Sequence, residues 1–96
     1  MAPVLFKPIE GFNKYIIDIN GNIYSIKYKK YIKQQTNKDG YKIVNLYNDN
    51  NKRMNLYIHR LLGLNFINNN NPDIYNVIDH IDRNKKNNKL DNLRWV

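Results

Sequence analysis

Asp79 and His80 are the one place in this 96-residue chain where a carboxylate and an imidazole adjoin. A carboxylate oxygen suits a hard divalent cation, and an imidazole with an ordinary pKa of about 6.5 can be a neutral proton acceptor at working pH. The pair lies in an apolar stretch, Val77, Ile78 and Ile81, that reads as a strand. Neighbours on a regular strand point to opposite faces, so both side chains reach one substrate atom only at a bulge or a strand end. From the dipeptide alone, a solvent-facing or core-satisfied His80 is the plainer reading. The context shifts the balance: Asp82, Asn84 and Asn87-Asn88 follow, and then Asp91-Asn92-Leu93-Arg94-Trp95. His59 is the other histidine and is read as structural, packing and capping beneath a sheet. Cysteine is absent, which removes disulfide frameworks and cysteine zinc fingers, and two histidines make no zinc site without carboxylate help.

The elements that must position these residues are short. Residues 15–18 and 23–26 flank Asn20-Gly21, the strongest short-range hairpin signal. Residues 31–34 and 41–47 flank the turn Asn37-Lys38-Asp39-Gly40 and are expected to pair. The polar tip 48–51 then reverses the chain into residues 52–58, where Met54, Leu56 and Ile58 alternate with polar neighbours. Around His59 the apolar period becomes helical (Ile58, Leu61, Leu62, Phe66), which predicts a helix of two turns despite Gly63. A loop through Pro72, a strand at 77–81, a polar stretch to Asp91 and a strand at 93–96 complete the chain. Neither a Pro-, Gly- or Ser-rich linker nor a long repeat divides it, so one domain is expected.

Sixteen Lys and Arg against eight Asp and Glu give a formal charge of +8. That field attracts polyanions, nucleic acid first among them. Asn, Ile, Lys and Tyr supply 52 residues and all use A/T-rich codons, so genome bias accounts for part of the lysine excess. Lys27, Lys29, Lys30, Lys33, Lys42, Arg53 and Arg60 fall on or beside the hairpins, with Tyr24, Tyr28, Tyr31, Tyr47 and Tyr57 interleaved. Such a β-ribbon can contact phosphates and stack on bases; the alternative is a solvated sheet face. No apolar run approaches the roughly 20 residues of a bilayer span, and the N-terminus lacks a signal-peptide core. A soluble, intracellular protein without a membrane partner is expected.

Residues 58–67 together with 77–96 (Ile58-His59-Arg60, Asp79-His80-Ile81-Asp82, Asn92-Leu93-Arg94-Trp95) resemble the HNH endonucleases of phage introns and large DNA viruses. Residues 6–15, 19–26 and 39–41 resemble the nuclease-associated modular domain that commonly precedes that segment. The resemblance implies an α+β fold: an antiparallel β-meander, one short helix and a C-terminal ββ(α)-metal fragment. It divides the single domain into a β-rich module, 6–57, and an HNH segment, 58–96, lacking its last helix. It implies Asp79 as ligand to a divalent cation, usually Mg²⁺, His80 as the general base, and Asn92 as the asparagine that ties the loop and orients the histidine. It also implies duplex DNA as partner and a viral or phage protein acting inside a host cell. Where relatives carry aspartate-glycine this chain has Asp82-Arg83, so the positive-φ position is expected to move to Asn84. Without the helix expected after Val96, Trp95 would be exposed or buried against another copy, with self-association through the C-terminal strands. Two further readings stay open: a DNA-binding or interaction module without catalysis, and a basic RNA-binding component.

Overall fold

The computed structural model describes residues 5–96. Among the described residues nine short strands form three antiparallel sheets around one α-helix, with a 3-10 turn at Leu90–Asn92, an α+β arrangement. The first sheet is a meander of β1 (Phe6–Ile9), β2 (Phe12–Asp18), β3 (Ile23–Ser25) and β4 (Lys30–Tyr31). The second comprises β5 (Gln35–Thr36), β6 (Lys42–Tyr47) and β7 (Arg53–Tyr57). Helix α1 (Ile58–Phe66) follows β7 directly, and β8 (Ile78–His80) pairs with β9 (Leu93–Trp95) in the third.

Three turns repeat one construction. At Asp18, Asn37 and Asn48 the side-chain oxygen accepts the backbone N–H two and four residues on. The residue three on takes a positive φ: Gly21 at 83°, Gly40 at 91° and Asn51 at 61°. The side chain stands in for a backbone acceptor, which is why Asp or Asn opens each turn. Gly21 is doubly constrained, since a Cβ there would lie 2.8 Å from Ile58 Cγ2 of the helix.

One expected pairing is corrected. Residues 31–34 do not pair as a strand with 41–47. Lys29, at φ 53°, folds Lys30–Tyr31 back onto β3, where Tyr31 meets Tyr24 edge-on and Ile32 N–H donates to Ile23 O. Only the next two residues, Gln35–Thr36, reach β6. The segment passes from one sheet to the next, and alternating side chains alone could not locate the crossing.

The helix is the shared neighbour of all three sheets, touching β1, β6, β7, β8 and β9. Its buried face, Ile58, His59, Leu61, Leu62 and Gly63, closes a core with Ile17, Ile23, Val44, Leu46, Ile78 and Leu93. Burying side chains of this size stabilises by about 1.5–3 kcal/mol each before entropy is counted, so most of the fold depends on this helix. Gly63 is required by proximity: a Cβ there would land in the Ile78 side chain. Trp95 is half-buried, donating its indole N–H to Ile67 O at 3.0 Å. Part of the indole is covered within its own chain, where the sequence predicts Trp95 exposed or buried against another copy.

Candidate active site

Ile78 and His80 face inward on β8, while Asp79 points out. His59 and Gly63 stand four residues apart on one side of α1, so β8 sets Ile78 against Gly63 and His80 beside His59. The two imidazole centroids lie 4.8 Å apart. Tyr41 stacks on His59 at 5.2 Å and is 6.1 Å from His80, and Tyr57 meets His59 edge-on at 5.4 Å. Four rings thus pack at the junction of the second sheet, the helix and the third sheet.

His59 is 5% exposed, and its Nδ1 is the one buried side-chain polar atom without a hydrogen-bond partner among the described residues. Burial, then the neighbouring His80 and Arg60, push its pKa down to about 4, so the ring is neutral at ordinary pH. His59 packs as the sequence suggests but caps nothing. The helix N-cap is Tyr57, with no side-chain cap bond.

His80 is 6% exposed. Its Nε2 lies 2.7 Å from Asn88 Oδ1. An amide oxygen only accepts, so Nε2 carries the proton and donates, and the lone pair of the neutral ring is on Nδ1. Asn92 does not contact His80. It accepts the Asp82 N–H at 3.0 Å and donates from Nδ2 to Asp82 Oδ1 and Asn87 O, at 2.9 and 2.8 Å. Asp82 also accepts from Asn87 Nδ2 and the Asn84 N–H. These bonds hold its carboxyl below the usual range, the Asn87 bond contributing most. The result is a loop, residues 82–92, braced by amides and one carboxylate. Its positive-φ residue is Arg83, at 65°, not Asn84. The Arg83 N–H donates to His80 O at 3.0 Å, closing a turn whose geometry fixes the conformation at the third residue after His80, whatever its type.

Asp79 stands on the outer face of the third sheet, opposite Arg94, which donates from Nε and Nη2 to Asp79 Oδ2 at 3.2 and 3.1 Å. Both side chains are about half exposed, and this is the only ion pair among the described residues. Asp79 and His80 are therefore brought to one strand end but aimed to opposite sides. Among the described residues no three or more His, Asp or Glu side chains converge on a point that could hold a metal.

Of the basic residues singled out from the sequence, Lys27, Lys29, Lys30, Lys33 and Arg53 are exposed. Lys42 lines a groove with Lys86, Asn87, Asn88 and Lys89, next to the histidines' loop. Arg60 lies over the Tyr57 ring, 4.6 Å from its centroid. Sequence reasoning named Asn88 only as context and gave no site role to Tyr41 or to Lys85, whose ammonium sits 4.9 Å from the Tyr41 ring centroid. Asn88 gave no separable signal in a chain with 19 asparagines.

A meander of short strands, a helix opening on a histidine, and a hairpin joining an aspartate-histidine strand to an asparagine-anchored loop define a class. The chain is a relative of the HNH endonucleases of phages and large DNA viruses, and residues 6–47 match the NUMOD4 motif. It is 39% identical over 88 residues to an uncharacterized HNH endonuclease of Acanthamoeba polyphaga mimivirus, covering 92% of this chain and 26% of that protein. It is 38% identical over 92 residues to the DNA endonuclease I-HmuI of Bacillus phage SP01, covering 95% of this chain and 51% of that one. Its fold matches a solved structure titled DNA binding and cleavage by the HNH homing endonuclease I-HmuI. That match has a TM-score of 0.82 at 37% identity, over 96% of this chain and 52% of that one. The chain spans about a quarter to about half the length of these curated relatives.

Proposed function

We propose that the chain is part of a metal-dependent HNH endonuclease of the homing type, which cuts or nicks the phosphodiesters of duplex DNA inside the host cell of a phage or virus. Residues 6–57 are its β-rich module and residues 58–96 its HNH segment. The observation that carries this reading is His80: a buried ring with one nitrogen on Asn88 and the other free to accept a proton, next in sequence to an exposed carboxylate. His80 is the general base that takes a proton from the attacking water. Asp79 is a ligand for a divalent cation, Mg²⁺ in the first instance. Mg²⁺ commonly takes one or two protein carboxylates and completes its shell with waters and substrate phosphate, a donor set that a single exposed Asp79 fits. When bound, such a cation stabilises negative charge on the phosphate and the leaving oxygen. The Arg94 guanidinium holds Asp79 through an exposed pair worth at most about 1 kcal/mol, little enough to yield to a doubly charged ion. Asn92 supports the site through the loop that holds Asn88.

The DNA-binding surface follows from unpaired charge and exposed rings. Lys27, Lys29, Lys30 and Lys33 surround Tyr28 and Tyr31, which are 65% and 60% exposed. Rings left in water beside free ammonium groups suit a phosphate backbone with accessible base faces. Lys42, Arg53 and Arg60 extend the basic surface along the second sheet and the helix. A second reading, a DNA-binding module without catalysis, draws on the opposite outlooks of Asp79 and His80 and on the Asp79–Arg94 pair. Nicking of supercoiled DNA with Mg²⁺ separates the two. His80→Ala is expected to lower cleavage by a factor on the order of 10²–10⁴ with DNA affinity unchanged. Full activity in that variant would remove His80 from the chemistry, and binding without cleavage in the parent protein would favour the module.

A further inference from the structure

We propose that Asn88 is the positioning residue of this site: its side-chain carbonyl holds the proton of His80 on Nε2, so that Nδ1 is the nitrogen that meets water. The inference rests on the reading of His80 as the base and adds which atom acts and what fixes it. A neutral imidazole has one donor and one acceptor nitrogen, and only the acceptor can take a proton. Asn88 Oδ1, 2.7 Å from Nε2, makes that nitrogen the donor. Nδ1 has no protein partner among the described residues, yet it is not a buried orphan, a condition met there by His59 Nδ1 alone. Solvent therefore reaches His80 at Nδ1.

Ring rotation, which would exchange the two nitrogens, is opposed by packing. The His59 centroid is 4.8 Å away and that of Tyr41 6.1 Å, and the ring is 6% exposed. Asn88 is itself held by its surroundings. The loop that carries it is tied to Asp82 and Asn92 by the preceding Asn87, whose carbonyl accepts from Asn92 Nδ2 and whose own Nδ2 donates to Asp82 Oδ2. Asn92 reaches the histidine only through this chain of contacts, which divides the work of two asparagines: Asn92 shapes the loop, and Asn88 touches the ring.

The test is nitrogen-15 NMR of the histidine rings in the whole chain, set beside nicking kinetics. The parent is expected to show His80 as the Nε2–H tautomer with a ring proton slow to exchange. Asn88→Leu is expected to lose that protected proton and to lower kcat on the order of 10–100-fold with KM for DNA unchanged, as supporting hydrogen bonds at active sites commonly do. Asn88→Asp keeps an acceptor and is expected to keep the proton and to hold kcat within about fivefold of the parent, so a general loss of fold in Asn88→Leu would be recognised. An Nδ1–H tautomer in the parent, or Asn88→Leu with the proton and kcat both intact, overturns the inference. If His80→Ala cleaves normally, the reading of His80 as base fails instead. If His80→Ala is dead while both Asn88 variants match the parent, only the role of Asn88 fails.

Discussion

At the scale of single residues the least expected feature is His59, a neutral imidazole buried with an unpartnered nitrogen. A buried polar atom left without a partner costs about 1–3 kcal/mol against an apolar group of the same shape. The depressed pKa adds a pH dependence whose sign is fixed. In the unfolded chain His59 takes a proton near its ordinary value of 6.5, whereas in the fold it does so only near 4. Between those limits the unfolded state binds more protons, so the stability this group contributes is greatest above 6.5, falls as pH drops toward 4, and stops falling there. The loss is expected to be of order 2–3 kcal/mol, and the Asp82 carboxyl, held below its ordinary range by its hydrogen bonds, adds a loss of the same sign at the acid end of that window. Urea denaturation at pH 7 and pH 4.5 should show a stability difference that His59→Phe, which keeps the stack on Tyr41, abolishes. An equal difference in the variant would assign the effect elsewhere. None of this was legible in the sequence, where His59 stood only as a histidine at a helix start. Asp79 and His80 stood out as the one adjoining carboxylate and imidazole, and Asn92 only through the family resemblance of the segment that carries it. Asn88 did not, because a hydrogen bond across eight residues of loop leaves no periodic trace.

At the scale of elements, the crossing of β8 over α1 is what turns a motif into a site. Turn residues, alternation and helical spacing revealed β2, β3, β6 to β9 and the helix, but not β1 or the short β4 and β5, since apolar period depends on which face is buried. They did not reveal that the glycine weakening the helix is the point where Ile78 enters it, because that is a matter of distance between elements. Two tendencies compete at Gly63. Alanine is a better helix former by about 1 kcal/mol, but its Cβ would collide with the buried Ile78 side chain. Overpacking of a buried contact costs about 1–3 kcal/mol, and the backbone of β8 has little room to retreat with Trp95 Cζ2 only 3.4 Å from the same position. Gly63→Ala is therefore expected to destabilise the chain and to shift the His80 ring resonances, since Ile78 and His80 ride on one strand. Ile78→Val, which removes Cδ1, one of the two colliding carbons, should recover part of the loss in the double variant. Strictly additive effects in denaturation would mean that the two positions do not meet.

At the scale of the whole molecule, charge and architecture bear on the same surface. The chain carries +8, and among the described residues only Arg94 is neutralised by an ion pair. Most of its cations are therefore not committed to a carboxylate, although Lys7, Lys14 and Lys85 donate to Asn65 O, Asn51 Oδ1 and Asp39 O, and Lys27 and Arg60 lie over Tyr28 and Tyr57. Each phosphate neutralised releases counterion, so the logarithm of affinity for duplex DNA should fall linearly with the logarithm of salt, by about 0.9 per contact. If about five contacts form, a fourfold rise in salt weakens binding by a factor on the order of 500. Replacing Lys27, Lys29 and Lys30 together with Gln should lower the slope by about 2–3 while leaving the urea midpoint in place, because Lys27 and Lys29 are exposed in the turn before β4 and Lys30 is exposed at its first position. Titration of a duplex at several ionic strengths reads both quantities. An affinity independent of salt would show that the excess charge follows from composition alone. A full loss of slope on replacing only these three would confine the DNA contact to the first sheet and exclude Lys42, Arg53 and Arg60 from it.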